Sequence, residues 1–273
     1  MSSSSIHTQI QKVASGILSH IEDLLASEEP LEVRLQYGPS DARVTKNISV
    51  TMRTPGNDKE LATGFLFTEG IIKNHQSIKQ VFQLGENVIK ITLEENLNLD
   101  LSKLERNFYT TSSCGVCGKS SIDAVKQVCE NFATVALSPV PASLIYKLPD
   151  LLRANQDVFE TTGGLHASAL FDTNGNLLIL REDVGRHNAL DKLIGVALKK
   201  EMIPLNNHIL LLSGRASFEL IQKAAMAGIN FVAAVGAPSS LAVEMAREHN
   251  MTLIGFLRGE KFNIYNGAER IIM

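Results

Sequence analysis

The spacing of apolar residues changes several times along the first part of this chain. From residue 8 to residue 26 the apolar side chains recur at helical intervals, which predicts an amphipathic helix. Segments 31–37 and 44–53 alternate apolar and polar residues on either side of a turn, a pattern typical of an antiparallel hairpin. A helix capped by Asp58 and a strand at 88–93 follow. Together these elements predict a small N-terminal α+β domain.

A different pattern begins near residue 160, where short, continuously apolar segments alternate with amphipathic ones. The predicted strands cover 167–171 and 177–181, paired across a turn, then 209–213, 231–235 and 252–257. The predicted helices cover 188–199, 216–227 and 239–249, and a short predicted helix at 142–155 precedes this region. Such alternation is typical of a parallel sheet covered by helices on both faces. Right-handed crossovers place the strand-to-helix loops at one edge of the sheet, where α/β folds bind ligands. We therefore predict an α/β protein with domains at 1–105 and 106–273.

Composition and charge exclude several classes of function. The chain of 273 residues has a formal net charge of −3, so no basic field favours nucleic acid. No apolar run reaches the roughly 18–20 residues that a membrane span needs. The N-terminal residues lack the regions of a signal peptide, and three cysteines do not suit a secreted disulfide framework. We expect a cytoplasmic protein that binds neither nucleic acid nor membranes.

Two cysteines, Cys114 and Cys117, form a Cys-Gly-Val-Cys motif between segments rich in serine and threonine. Few apolar side chains surround them in the sequence, so a thiol here can reach solvent and ionise to the reactive thiolate. The motif by itself fits a redox dithiol, half of a zinc site or a sulfur-relay loop.

Three predicted loops at the sheet edge share small residues, and two of them carry arginine. They are Ser213–Ser217 with Arg215, Gly236–Ser240 with Ser239, and Arg258–Lys261 after the last strand. Small residues let backbone N–H groups approach a ligand, and helix N-termini favour anions. A phosphate-bearing ligand fits this pattern, and so do ordinary turns whose serines cap helices. None of these loops has the spacing of a Walker or dinucleotide-binding motif.

Two histidines lie in polar segments near these loops. His166 follows a Gly-Gly pair at the start of a predicted strand, and His187 lies in the polar run 181–188. Each fits a functional site and equally an ordinary strand or helix terminus. Asp183 and Arg186, in the same run, are candidates to pair with each other.

Seven ordered segments together resemble the FdhD family, the formate dehydrogenase accessory sulfurtransferases. They are Ser49–Gly56, Gly64–Gly70, Ser113–Lys119, Thr162–His166, Glu182–Lys192, Ser213–Arg215 and Gly236–Ser240. Seven segments in order make the resemblance far more specific than any single motif.

The resemblance implies a sulfur carrier. Members of the family accept sulfur from a cysteine desulfurase as a cysteine persulfide and pass it to a molybdenum or tungsten bis(molybdopterin guanine dinucleotide) cofactor, which then enters formate dehydrogenase. On this resemblance Cys114 carries the persulfide and Cys117 assists or relays it. The cofactor-binding residues are Phe256, Leu257, Arg258, Gly259, Glu260 and Lys261, to which the loop pattern adds Arg215 and Ser239. The resemblance also implies a cytidine-deaminase-like three-layer core and a homodimer, and we expect no permanent metal.

Other functions fit parts of the pattern. A zinc deaminase uses a His-x-Glu ahead of its Cys-x-x-Cys, whereas His166-Ala167-Ser168 lacks the glutamate and follows the cysteines. A structural zinc site needs a second pair of ligands, which the spacing does not supply. A dithiol oxidoreductase and a cofactor chaperone that does not transfer sulfur stay open as alternatives.

Overall fold

The computed structural model describes residues 3–95, 97 and 139–273. The predicted reactive cysteines, Cys114 and Cys117, lie outside these described residues. The described part contains an N-terminal hairpin, a four-stranded sheet, a six-stranded sheet and a pair of very short strands.

Residues 5–26 form a β-hairpin, so the predicted helix over 8–26 is wrong. Strand β1 (Ser5–Ala14) pairs antiparallel with β2 (Ile17–Ala26), and Ile10 lies opposite Ile21. The turn residues Ser15 and Gly16 have φ angles of 48° and 79°, the positive values that a two-residue hairpin turn favours. Because β-branched residues favour strands, strand pairing outweighs the helical spacing of the apolar side chains.

The four-stranded sheet follows the hairpin and carries a helix on one face. Its strands are β3 (Glu29–Tyr37), β4 (Val44–Arg53), β5 (Ile78–Gly85) and β6 (Val88–Leu93), in the order β4-β3-β6-β5. β3 and β4 are antiparallel, which confirms the predicted hairpin. Helix α1 (Asp58–Thr68) is preceded by Asn57, and Asp58 binds Arg53 at 3.0 Å instead of capping the helix as predicted.

The larger sheet is mixed and not wholly parallel. Its strands are β8 (His166–Phe171), β9 (Leu177–Asp183), β10 (Ile209–Leu212), β11 (Phe231–Ala234), β12 (Thr252–Arg258) and β13 (Lys261–Asn266), in the order β13-β12-β11-β10-β8-β9. Strands β10, β11 and β12 are parallel, as predicted, whereas β8, β9 and β13 run antiparallel to their neighbours. Short turns join β8 to β9 and β12 to β13, and a parallel pair would need a long crossover. Separately, β7 (Val140–Pro141) pairs with β14 (Ile271–Ile272).

Helices cover both faces of the larger sheet. They are α2 (Ala142–Ile145), α3 (Leu148–Arg153), α4 (Asp157–Thr162), α5 (Arg186–Lys199), α6 (Phe218–Met226) and α7 (Ser240–Glu248). Along β10, Leu210 and Leu212 join the core under α5, α6 and α7, while Ile209 and Leu211 join the core under α2 and α3. This confirms an α/β architecture, whereas the cytidine-deaminase-like fold stays a prediction. The predicted helix over 142–155 is divided into α2 and α3. No helix in the described part of the chain is long and apolar enough to cross a membrane.

Helix α1 packs directly against helix α5 and so joins the two sheets through one hydrophobic cluster. A methyl group on Gly64 would overlap the Asp191 carbonyl, and one on Gly195 would overlap the Glu60 carbonyl. The two helices therefore meet backbone to backbone at these glycines. The division into domains at residues 105 and 106 stays a prediction.

We expect Gly195→Ala to lower the free energy of unfolding by about 1–3 kcal/mol, the usual cost of overpacking a core. The added methyl group would meet the backbone of α1, which can move away only by separating the two helices. The overlap of the added methyl group with a backbone carbonyl places the cost at the upper part of this range, so a net loss of stability remains after the gain of about 1 kcal/mol that alanine has over glycine within a helix. Urea denaturation followed by circular dichroism measures the change. Gly85→Ala is the control, because no atom lies within 4 Å of its added Cβ. An equal loss in both variants would contradict the prediction.

Acid should destabilise the fold through His208, which directly precedes β10. Its Nδ1 atom is buried with no hydrogen-bond partner among the described residues. Burial lowers the pKa of His208, against smaller opposing effects of the Leu205 backbone and Asp172. Below about pH 6.5 the unfolded chain therefore binds more protons than the folded one, so stability falls as the pH falls.

Urea denaturation between about pH 7 and pH 5 measures this pH dependence of the free energy of unfolding. We expect His208→Gln to show a shallower decrease than the unchanged protein. His20→Gln, on the exposed hairpin, is the control and should keep the original slope. Identical slopes for all three proteins would exclude His208 as a source of the acid sensitivity.

Candidate anion-binding site

The loops that follow β10, β11 and β12 lie side by side at the carboxyl edge of the parallel strands. The Gly236 N–H donates to the Gly214 carbonyl at 2.9 Å, and the Ser239 N–H donates to the Ala216 carbonyl at 3.0 Å. The Gly236 carbonyl in turn accepts a hydrogen bond of 3.1 Å from the Phe256 N–H. These contacts make the three loops one continuous surface, which we call the loop edge.

Glycine residues are required where these loops touch. A Cβ atom at Gly236 would lie 2.9 Å from the Arg215 nitrogen and 3.0 Å from its Cα. A Cβ atom at Gly255 would lie 2.9 Å from the Pro238 Cδ atom. Because backbone atoms and a proline ring cannot move aside independently, larger residues here would push the loops apart.

Positive side chains extend from the loop edge into solvent. Arg215 is exposed on the first loop, and Arg258 and Lys261 are exposed and paired across the β12–β13 turn. Gly259 forms this turn with a φ angle of 51°. Glu260, also exposed, carries the one negative charge of the turn Arg258–Lys261. Guanidinium and ammonium groups placed in this way can bind phosphate oxygens.

The remaining residues that were predicted to bind the cofactor differ in which of their groups can contact it. Phe256 is 41% exposed and has a φ angle of 54°, which is rare for an aromatic residue, within an irregular part of the β12–β13 pairing. Leu257 is fully buried in the core, so only its backbone can face a ligand. Ser239 accepts a hydrogen bond of 3.3 Å from the Ala242 N–H and therefore has the ordinary role of a helix cap.

His187 is held beside the loop edge by two residues of α6 and the loop before it. Its Nε2 atom lies 2.9 Å from the Glu219 carboxylate and 3.4 Å from the Ser217 hydroxyl. Ser217 precedes α6 but makes no side-chain capping bond to it. Glu219 was absent from the sequence-based prediction, because nothing in its position in a helix indicates a partner on another element.

His166 lies among the positive groups of the loop edge. A Cβ atom at Gly214 would be 3.2 Å from the His166 Nδ1 atom, so the ring packs on that loop. Burial lowers the pKa of His166, and the charges of Arg186, His187 and Arg215 lower it further, while Asp183 acts in the opposite direction. The surroundings of His166 are therefore predominantly cationic, and its neutral form is favoured.

Asp183 has Lys192 as its ion-pair partner, which replaces the predicted pairing with Arg186. The Lys192 Nζ atom lies 2.7 Å from the Asp183 carboxylate, and the Asn188 side chain donates to the same carboxylate at 3.0 Å. Arg186 begins helix α5 beside the loop edge, and its Nε atom is buried without a hydrogen-bond partner in the described part of the chain. Arg186 thus adds a further positive group to the site.

The chemistry of the described residues at this edge is that of anion binding. Glycine-lined backbone, helix N-termini and the side chains of Arg186, Arg215, Arg258 and Lys261 all favour negative charge. Among residues 3–95, 97 and 139–273, no group of three or more His, Cys, Asp or Glu side chains is placed to hold a metal ion.

Comparison with known proteins gives consistent matches over nearly the whole chain. The model of the FdhD/NarQ family matches residues 26–272. Proteins named sulfur carrier protein FdhD are similar to this chain. The one from Streptomyces coelicolor is 46% identical over 97% of this chain and 95% of its own length. The one from Mycolicibacterium paratuberculosis is 51% identical over 91% and 92%, and the one from Sulfurisphaera tokodaii is 45% identical over 92% of each.

A solved structure extends the similarity to the fold. The crystal structure of a proposed formate dehydrogenase accessory protein from Desulfotalea psychrophila superimposes with a TM-score of 0.75 at 25% identity. The superposition covers 98% of this chain and 99% of that one. The family match, the identities and the shared fold agree with the resemblance carried by the seven sequence segments, and this chain belongs to the FdhD/NarQ family.

Proposed function

We propose that this chain is a sulfurtransferase that carries sulfur for formate dehydrogenase. It takes sulfur from a cysteine desulfurase as a persulfide on Cys114 and transfers it to the molybdenum or tungsten bis(molybdopterin guanine dinucleotide) cofactor. Family membership and the names of the similar proteins support the sulfur-carrier role. The loop edge is the observation on which we base the choice of this cofactor as the client. There, four cationic side chains lie beside glycine-lined backbone.

A dinucleotide cofactor matches this surface better than a single phosphate does. It presents several phosphate groups, and the loop edge offers cations on separate elements, with Arg186 at the start of α5, Arg215 after β10 and Arg258 at the end of β12. Lys261 and the backbone at Gly259, which were both predicted as cofactor-binding residues, lie on the turn after β12. The exposed ring of Phe256 provides a face on which a guanine base can stack, an interaction worth about 1–3 kcal/mol per base.

The first step of the proposed reaction is a thiol–persulfide exchange. The Cys114 thiolate attacks the outer sulfur of the persulfide on the desulfurase. The bond between the two sulfurs of that persulfide breaks, and its electron pair leaves with the desulfurase thiolate, which takes up a proton. Cys114 then holds the transferred sulfur as its own persulfide, with no net oxidation or reduction.

Cys117 can complete the transfer in one of two ways. Its thiolate can attack the inner sulfur of the Cys114 persulfide, which releases hydrosulfide and leaves a Cys114–Cys117 disulfide. A thiol reductant must then supply two electrons to restore both cysteines. Alternatively, Cys117 can accept the outer sulfur itself and hold it as a second persulfide.

We further propose that the protein acts in the cytoplasm, forms a homodimer and keeps no permanent metal. The desulfurase is the sulfur donor, and the cofactor is a bound client on its way to formate dehydrogenase. Two alternative functions remain. The protein could be a chaperone that binds the cofactor without carrying sulfur, or it could be a dithiol oxidoreductase. The next experiment distinguishes both from the proposed sulfur transfer.

Cys114→Ala should abolish sulfur uptake. Intact-protein mass spectrometry after incubation with a cysteine desulfurase and cysteine should show added sulfur on the unchanged protein and none on Cys114→Ala, because the accepting thiolate is lost. Cys117→Ala should still gain one sulfur atom, since the first exchange needs only Cys114. Cys129, the third cysteine of the chain, lies outside the Cys-Gly-Val-Cys motif, so Cys129→Ala is a control and should behave as the unchanged protein.

The same variants are then compared in the activation of formate dehydrogenase. Cys114→Ala should fail to activate the enzyme. Full activation by Cys114→Ala would instead identify a chaperone, and the absence of added sulfur on the unchanged protein would exclude the relay.

Arg215→Gln should weaken the binding of guanosine diphosphate about tenfold or more, as expected for the loss of one charge-assisted hydrogen bond. Isothermal titration calorimetry at low and high salt measures the affinity. Arg247→Gln, at the opposite end of helix α7, is the matched control with the same change of charge and should leave the affinity nearly unchanged. Equal weakening in both variants would show a general charge effect and would remove the loop edge as the site.

A further inference from the structure

A cavity of about 960 Å³ lies between α1, β5 and the last turns of α5. Its walls are the loop 55–57, the first two turns of α1, parts of β5 and the turn after it, and Gly195 and Lys199 of α5. Arg186 begins the same helix beside the loop edge, so the backbones of Arg186 and Lys199 lie about 20 Å apart. The cavity is therefore separate from the loop edge, and its volume suits a small-molecule ligand.

The first turn of α1 borders this cavity with backbone N–H groups that have no partner. Asn57 precedes the helix with a φ angle of 58° and makes no side-chain capping bond. The first backbone hydrogen bond of the helix is donated by the Leu61 N–H to the Asn57 carbonyl, at 2.9 Å. In the described part of the chain, the N–H groups of residues 58–60 are thus left without an acceptor. Such groups, at the positive end of the helix dipole, favour a bound anion.

A buried hydroxyl beside this helix terminus also lacks a partner. Thr63 lies one turn after Lys59, lines the cavity and is only 5% exposed. Its side chain makes no hydrogen bond with any residue that the structure describes. Burying a hydroxyl without a hydrogen bond is unfavourable, and an acceptor bound in the cavity would supply the missing bond. This hydroxyl points to a ligand independently of the helix terminus.

Two ammonium groups are available to such a ligand. Lys59 and Lys199 both line the cavity and are exposed, and neither has an ion-pair partner among the described residues. His75 lines the cavity as well and is half-buried, and its ring can donate a further hydrogen bond. The donors of the cavity therefore come from three separate elements of the fold.

The carboxylates around the cavity do not cancel this positive charge. Asp58 is paired with Arg53 at 3.0 Å, and Glu60 is paired with Arg181 at 2.6 Å. Glu86, on the turn after β5, is the remaining carboxylate among the lining residues. Two lysines against one carboxylate leave an excess of positive charge.

We propose that this cavity binds a phosphate monoester of a small organic molecule. Its phosphate group lies at the first turn of α1 and accepts hydrogen bonds from the backbone N–H groups, the Thr63 hydroxyl and the two lysines. A phosphate monoester offers three terminal oxygens and about two negative charges, which matches these donors better than a carboxylate does. The organic group occupies the rest of the cavity, against Val81 and Pro55. This site does not depend on sulfur transfer or on the ligand of the loop edge.

Isothermal titration calorimetry of the full chain with phenyl phosphate tests this proposal, because this ester combines a phosphate with a compact apolar group. It should bind more tightly than inorganic phosphate, which cannot contact the apolar wall, and more tightly than phenylacetate, which carries a carboxylate. Thr63→Val keeps the shape of the side chain and removes the hydroxyl, so it should weaken the binding of phenyl phosphate about tenfold. Lys199→Gln should weaken it to a similar extent. Lys200→Gln is the matched control, because Lys200 is exposed next to Lys199 but does not line the cavity.

Further titrations separate this site from the loop edge. Lys199→Gln should leave the affinity for guanosine diphosphate unchanged, and Arg215→Gln should leave the affinity for phenyl phosphate nearly unchanged. Failure of the cavity and failure of the loop edge therefore give different results. Circular dichroism should show the same folded content for all variants.

Four results would overturn the proposal. The first is the absence of saturable binding up to about 10 mM phenyl phosphate. The second is an unchanged affinity in both Thr63→Val and Lys199→Gln, or equal weakening by Lys200→Gln. The third is loss of phenyl phosphate binding in Arg215→Gln alone, which would place the ester at the loop edge. The fourth is tighter binding of phenylacetate than of phenyl phosphate.

Discussion

One fully buried carboxylate, that of Asp183, joins the smaller sheet to the loop edge. It accepts hydrogen bonds from the Thr54 backbone at 3.2 Å and from the Asn188 side chain at 3.0 Å, and it pairs with Lys192 at 2.7 Å. Removing a charge from water costs several kcal/mol unless such partners replace the water. The end of β4 therefore lies against the start of α5, the helix that begins with Arg186.

A second buried ion pair extends the same constraint across three helices. Lys223 of α6 lies 2.9 Å from the Asp191 carboxylate of α5 and 2.8 Å from the Thr68 hydroxyl of α1. The backbone contact at Gly64 and Gly195 lets these helices approach closely enough for those bonds to form. Apolar packing tolerates small shifts between helices, whereas hydrogen bonds between buried charges do not, so this arrangement specifies one relative position.

The loop edge separates the tasks of shape and charge. Its shape comes from backbone hydrogen bonds and glycine contacts among three loops, which leave little freedom. Its charge comes from long, exposed side chains such as Arg215 and Lys261, which can adjust to a ligand. A rigid base with adjustable charges suits a surface that binds an anion and then releases it.

The sequence by itself determined the family through its ordered segments, and it determined the central strands because short apolar segments between helices have few other solutions. Tertiary structure alone decided the rest. The residues before Ala26 have helical spacing, yet pairing across the turn at Gly16 makes them strands. The contact of His187 with Glu219 joins residues on different elements, and no local pattern encodes it. The spacing of apolar residues in the sequence indicates which side of a helix or strand is apolar. The partner of a buried charged side chain depends instead on which helices and strands lie next to each other in the folded protein.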